Sequence, residues 1–203
     1  ESEILALFED SKGVLWVGTD GAGLSRFDRE TETFTNFPID ATGTNATRSA
    51  VRAIYESQGR LWIGTQGGLI AFDPNSEQFG SLDGVVDPSG PLSTATVYSI
   101  YEDRDGILWV GTWGDGIFVI HPQQGVLYNY RQTPGKDGGL SNNMAISSFQ
   151  DREGSLWIGT AAAGLSKLTA DNRAFAYYEH DPNDANSLSD NWVRSIFEDK
   201  SGM

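Results

Sequence analysis

The chain has 203 residues, and 14 basic against 28 acidic side chains give a formal net charge of −14. That charge is a poor match to nucleic acid or to an anionic membrane surface, and no run of Lys or Arg supplies a local exception. There is no cysteine, which excludes disulfides and thiolate metal sites and leaves the redox compartment open; no apolar stretch approaches the roughly 20 residues needed to cross a bilayer, and Glu1 to Asp10 lacks the basic start and long apolar core of a signal peptide.

In chain order the same unit recurs four times. It opens with an apolar run that ends in acid: Ile4 to Asp10, Val51 to Glu56, Val97 to Asp103 and Ile146 to Asp151. These are predicted as a first strand, A. A turn follows with glycine at a fixed place (Gly13, Gly59, Gly106, Gly154), where a positive φ costs glycine little. Strand B is a Leu-Trp-(Val/Ile)-Gly-Thr motif at Leu15–Thr19, Leu61–Thr65, Leu108–Thr112 and Leu156–Thr160, with tryptophans 46, 47 and 48 residues apart. A glycine-rich turn leads to strand C (Gly23–Asp28, Gly68–Asp73, Gly116–Ile120, Gly164–Leu168), and a shorter aromatic strand D closes the unit (Phe34–Phe37, Gln78–Leu82, Val126–Tyr130, Phe175–Tyr178).

Four strands in a unit of roughly 47 residues, without a helical period, predict an all-β chain of four-stranded antiparallel propeller blades. The blades cover about 1–46, 47–92, 93–141 and 142–188, and a fifth begins at 189–203 with a strand-A run over Val193–Asp199. Blades pack on both faces, so strand B must be apolar on both sides, as Leu, Trp and Val or Ile in succession are.

Strand A ending in Glu-Asp, then glycine, the Leu-Trp motif and Gly-Leu-x-x-Phe-Asp resemble the two-component regulator propeller repeat. His180 to Asn191 is similar to that family's linker between blades. The resemblance implies seven-bladed propellers, often in tandem, in the periplasmic or extracellular part of bacterial membrane sensors with histidine kinase or diguanylate cyclase outputs, frequently responding to oligosaccharides. The chain is expected to be a piece of a longer protein. Four blades could close as a small ring, form half of an eight-bladed dimer or be an arc of a larger ring, and the surplus strand-A run at 193–199 favours the arc. Its exposed blade faces are expected to self-associate, and any membrane attachment is expected in flanking segments.

The repeated features read as scaffold. The motif tryptophans sit inside strand B, where packing explains them better than sugar stacking. The Glu-Asp pairs recur in nearly every blade, whereas a catalytic pair is needed once; an aspartate before a glycine turn caps that turn. Asp181 to Asn186 has the oxygen density of a calcium loop but lacks its glycine and distal glutamate, and reads as a solvated run of Asx turns. Asn45-Ala-Thr47 is a glycosylation sequon that matters only in a eukaryotic secretory setting. His121 and His180 have no ligand spacing, so no metal and no cofactor is expected.

The candidates lie where the repeat is broken. An up-and-down strand order puts the B–C turns and the D–A connections on one rim, and those turns begin with Asp20, Gln66, Trp113 and Ala161. Trp113 is the one aromatic at its position and should be exposed, able to stack on a sugar or an apolar partner, with Asp115 beside it offering acceptors to hydroxyl groups. The alternative is a turn tryptophan folded onto the neighbouring blade. Trp192, at the start of the last strand A, is a second aromatic on the rim, while Asp20 and Gln66 are polar candidates. The leading expectation is a non-catalytic sensory module that binds a glycan. The alternatives are an interaction or dimerisation scaffold, with Ile39–Ser49 and Asp83–Ser93 as partner loops, and a propeller-fold polysaccharide lyase or hydrolase. The last would need a converging, non-repeated cluster of His, Tyr, Arg and carboxylates, which the sequence does not assemble.

Overall fold

The computed structural model describes residues 3–39, 49–80, 82, 84–133, 138–169 and 175–199. These form four four-stranded antiparallel sheets, each a meander in sequence order. The first holds β1 (Ile4–Glu9), β2 (Leu15–Thr19), β3 (Leu24–Asp28) and β4 (Thr33–Phe37); the second β5 (Val51–Ser57), β6 (Arg60–Thr65), β7 (Gly68–Asp73) and β8 (Gln78–Gly80). The third holds β9 (Val97–Glu102), β10 (Leu108–Thr112), β11 (Ile117–His121) and β12 (Gly125–Tyr130); the fourth β13 (Ala145–Gln150), β14 (Leu156–Thr160), β15 (Leu165–Leu168) and β16 (Phe175–Tyr178). These are the all-β propeller blades expected, and every B strand falls on its Leu-Trp motif.

Most strand ends differ from expectation by no more than one residue, and two differences are larger. The second D strand stops at Gly80 instead of Leu82: the buried Leu82 carbonyl instead accepts the amides of Val85 and Val86 in a turn. The fifth run, Val193–Asp199, carries no ladder. In the other blades strand A pairs with the motif strand that follows it, and no motif follows 193–199 in this sequence.

The chain divides into two compact units, residues 1–100 with 123–125, and 101–122 with 126–203. In the first, Trp16, Leu24, Val51, Leu61, Ile63 and Phe72 form the buried cluster, with Trp16 edge-on to Phe72 at 5.5 Å. In the second, Trp109, Ile117, Leu156, Ile158 and Phe175 do the same, with Tyr130 edge-on to Phe175 at 5.3 Å. Strands β6 and β10 are buried along nearly their whole length, as a strand between two packed faces must be. The D strands β4, β12 and β16 are mostly exposed.

Each letter of the motif has a physical task. The indole N–H of Trp16, Trp109 and Trp157 donates to Oδ2 of Asp10, Asp103 and Asp151 at 2.8, 2.8 and 2.7 Å. The other oxygen of each carboxylate accepts turn amides, from Lys12 and Val14, from Asp105 and Ile107, and from Ser155. One aspartate therefore caps the A–B turn and satisfies the indole of a tryptophan that is buried (Trp16, Trp109) or half-buried (Trp157) in the blade. The second blade departs from this. Its turn is one residue shorter, Ser57 follows Glu56 where the others have aspartate, and Gln58 and Gly59 both take positive φ (54° and 75°), the pattern of a type I′ hairpin turn. There the buried Trp62 Nε1 has no hydrogen-bond partner among the described residues.

The glycine of the motif is a contact requirement. A Cβ on Gly18 would lie 2.5 Å from Val51 Cγ1, and one on Gly64 would lie 2.6 Å from Val97 Cγ1, so the next strand A packs directly on this backbone. The glutamate or glutamine that precedes the aspartate, or Ser57 in the second blade, ties one blade to the one before it. Glu56 accepts both Ser11 N and Ser11 Oγ, Gln150 accepts Arg104 N, and Glu198 accepts Arg152 N. Although Glu198 lies outside any ladder, it keeps this link.

Candidate functional site

The last residue of the motif builds the rim. Thr112 Oγ1 donates to Gly116 O at 2.8 Å and accepts the Asp115 amide at 3.1 Å. The Gly114 and Gly116 amides both donate to Asn143 O. Gly114 takes φ 112° and Gly116 φ 76°, and a Cβ on Gly116 would collide with the Tyr130 carbonyl, so this tight turn needs both glycines. The same threonine device closes the turns after Thr19, Thr65 and Thr160. The scaffold is thus shared, and only the displayed side chains differ.

Trp113 is displayed as expected, 40% exposed, with its backbone bridged to Met144. Trp192 is 46% exposed, and the two indoles meet with centroids 6.0 Å apart and planes inclined at 48°. Backbone bonds set this meeting. Met144 O accepts the Ala161 amide, and Thr160 O accepts the Val193 amide. The fourth blade's turn, Ala161-Ala162-Ala163, carries no side-chain atom beyond Cβ to stand between the rings. The two D–A connections are built alike: Met144 N donates to Asn142 Oδ1 and Trp192 N to Asp190 Oδ1, while Gln132 N and His180 N donate to Oδ1 of Asn143 and Asn191. Trp192 therefore occupies the position that Met144 holds one blade earlier.

Asp115 is more committed than the sequence indicated. Its Oδ1 is 3.3 Å from Arg131 Nη2, which also donates to Gly114 O. A second guanidinium, that of Arg194, lies 5.4 Å over the Trp192 ring. Neither arginine stood out in the sequence; the only signal for Arg194 was its place two residues after Trp192, on the same side of an extended run. In the other unit Asp20 and Gln66 are exposed on their turns. Their amides donate to Glu3 O and Ala50 O, and Gln66 O accepts Thr96 Oγ1.

The remaining carboxylates are occupied with turns. Asp28 and Asp73 are held below the ordinary carboxylate range chiefly by backbone amides, of Thr31 and of Asn75. At Asp151, burial works to raise the pKa, but the Trp157 indole N–H, the Ser155 amide and the Lys167 charge together bring it below the ordinary value. In the 181–187 connection Asp181 and Asp184 accept the amides of Asn183 and Asn186, the Asx turns expected there. Among the described residues no group of three or more His, Asp or Glu side chains could hold a metal ion. The sequon and most of the loop 39–49 lie outside the described residues.

The repeat is where the chain matches a known family. A family model described as two component regulator propeller matches residues 1–21, 47–67, 91–114 and 139–162. The chain carries four copies of the two-component regulator propeller repeat. Each match runs from strand A through the motif and ends in the B–C turn, where the rim side chains begin to differ. A curated relative, a histidine kinase of Formosa agariphila, is 31% identical over 71 residues, covering 34% of this chain and 5% of its own length. Among solved structures, the extracellular domain of a hybrid two-component system of B. thetaiotaomicron superposes with TM-score 0.71 at 22% identity, over 98% of this chain and 25% of that one. Virginiamycin B lyase from Staphylococcus aureus gives TM-score 0.61 at 15% identity, over 91% and 57%. The chain thus spans only part of each, and at these identities the structural likeness shows the propeller fold, one that serves a sensor and an enzyme alike.

Proposed function

We propose that this chain is the ligand-sensing part of a membrane signalling protein, placed on the periplasmic or extracellular side, and that the rim at Trp113 and Trp192 binds an oligosaccharide without turning it over. The observation that carries this reading is the pair of half-exposed indoles brought to 6.0 Å over an alanine turn. Exposed aromatic rings with polar neighbours are costly to leave in water and suit the alternating apolar and hydroxyl faces of a sugar. Support also comes from the family and from the extracellular sensor domain that shares the fold. The non-catalytic reading is supported by the carboxylates of Asp10, Asp103 and Asp151, which are engaged with turn amides and indoles.

A thermal-shift screen against neutral and acidic oligosaccharides tests this. A ligand at a hundred times its Kd stabilises the native state by about 2.7 kcal/mol, and a raised Tm is expected for at least one class. No shift across the panel would count against sensing, and turnover of a polysaccharide would overturn the non-catalytic reading.

A second reading, self-association through blade faces, is favoured by Ile4 and Leu7 at 64% and 65% exposure in the first unit and by Phe197 at 80% in the second. Light scattering should then show species larger than one chain; a monomer at all concentrations would contradict it.

A further inference from the structure

We propose that the ligand of the Trp113–Trp192 rim is an acidic sugar, bearing a uronate carboxylate or a sulfate ester, and that Arg194 is its principal charge partner, with Arg131 on the Trp113 turn as a second guanidinium. The proposal rests on the sugar-binding reading of this rim and narrows it. In a protein of net charge −14, cations are scarce, and several of those described are committed to carboxylates: Arg26 to Glu77, Arg29 to Glu9 and Arg152 to Glu198. Arg194 is different. It is exposed, its guanidinium carbon lies 5.4 Å over the Trp192 ring, and among the described residues no ion pair joins it to a carboxylate.

A guanidinium stacked on an indole keeps its in-plane N–H groups turned outward, the fork that grips a carboxylate or sulfate through two parallel hydrogen bonds. Stacking also orders the side chain before ligand arrives, lowering the entropy cost of binding. Arg131 supplies a second guanidinium, about half exposed, bonded through Nη2 to Asp115 and Gly114. Two indoles in contact, one with a guanidinium over its face and the other on a turn that holds a second guanidinium, suit a ring that is apolar on one face and anionic at its edge. The negative charge of the whole chain does not forbid this, because at physiological ionic strength the Debye length is about 8 Å. Charges further off are screened, and the guanidiniums in contact decide the binding.

The test is isothermal titration of the chain with three probes of matched length: a neutral gluco-oligosaccharide, an oligogalacturonide and a sulfated galacto-oligosaccharide. Each is run at low and at physiological salt, on the parent and on Arg194→Gln and Arg194→Lys. The expected result is binding of one or both acidic probes at least tenfold tighter than the neutral one, weakened by salt. Arg194→Gln should lose at least tenfold for the acidic probe, and Arg194→Lys should recover only part of that loss. The two acidic arms distinguish carboxylate from sulfate recognition. Neutral binding as tight as acidic, or Arg194→Gln without effect on acidic binding, would overturn the inference and leave the sugar reading standing. Binding of none of the probes would overturn both. Because Arg194 is exposed, its variants should keep the parent Tm, which the same samples report.

Discussion

Trp157 donates its indole N–H to the Asp151 carboxylate at 2.7 Å, from a position six residues further along the chain. Asp10 with Trp16, and Asp103 with Trp109, repeat the bond at the same interval. The aspartate closes a turn and pairs a buried donor at once, so the acidic end of strand A and the tryptophan of strand B form one structural unit. The second blade, where Trp62 Nε1 is unpaired, serves as an internal control.

Phenylalanine in place of each tryptophan separates the hydrogen bond from the packing. Trp16 and Trp62 are equally buried, at 1% exposure each. Trp16→Phe removes a charge-assisted bond and leaves the Asp10 carboxylate short of a donor, whereas Trp62→Phe removes an unpaired N–H. Trp16→Phe should therefore be the more destabilising, by about 1–3 kcal/mol, in urea unfolding of the two variants. Equal losses would show that the indole–carboxylate bond contributes nothing net.

Acid should weaken the second unit through Asp151. Its folded pKa lies below the ordinary carboxylate value, which is about 3.9 in model peptides. The stability it contributes is fully present above that value and is lost as pH falls through the lowered folded one. Asp151→Asn should flatten the fall in Tm over this range while lowering Tm at neutral pH. An unchanged acid profile would assign the acid sensitivity elsewhere.

Two glycines of ordinary backbone conformation contrast contact with space. A Cβ on Gly18 would lie 2.5 Å from Val51 Cγ1 and 2.7 Å from its carbonyl oxygen, whereas one on Gly80 meets nothing within 4 Å. Gly18→Ala should cost about 1–3 kcal/mol by overpacking, and Gly80→Ala should be neutral or slightly stabilising. Denaturant midpoints of the two variants check this directly.

Trp192→Met gives the fifth run the residue that its neighbour has at Met144. The backbone bonds that hold the connection, Trp192 N to Asp190 Oδ1 and Val193 N to Thr160 O, do not use the indole. The variant should keep its Tm and lose the coupled-indole circular dichroism band expected of two rings at 6.0 Å. A retained band would place the coupling between other tryptophans.

Much of the fold was legible because the repeat states it four times. The Leu-Trp motif marked every B strand, and the fixed glycines marked the turns. The fifth run misled, since the pattern of strand A is present at 193–199 without the motif strand that turns such a pattern into a ladder. The rim was legible as far as Trp113 and Trp192 taken singly. Their meeting was not, because it depends on backbone bonds through Met144 and Ala161 and on three alanines whose importance is the side chains they lack. The link from aspartate to indole was present in the sequence as a six-residue interval in three blades, with a shortened turn in the fourth case.

The most direct test of the account is the affinity of the Trp113→Ala variant, measured beside its Tm and against the oligosaccharide that most stabilises the parent. If function lies where the repeat is broken, binding should fall at least tenfold while Tm stays with the parent. Unchanged binding, or a Tm that collapses with it, would contradict the assignment of Trp113 to the ligand and return it to the scaffold.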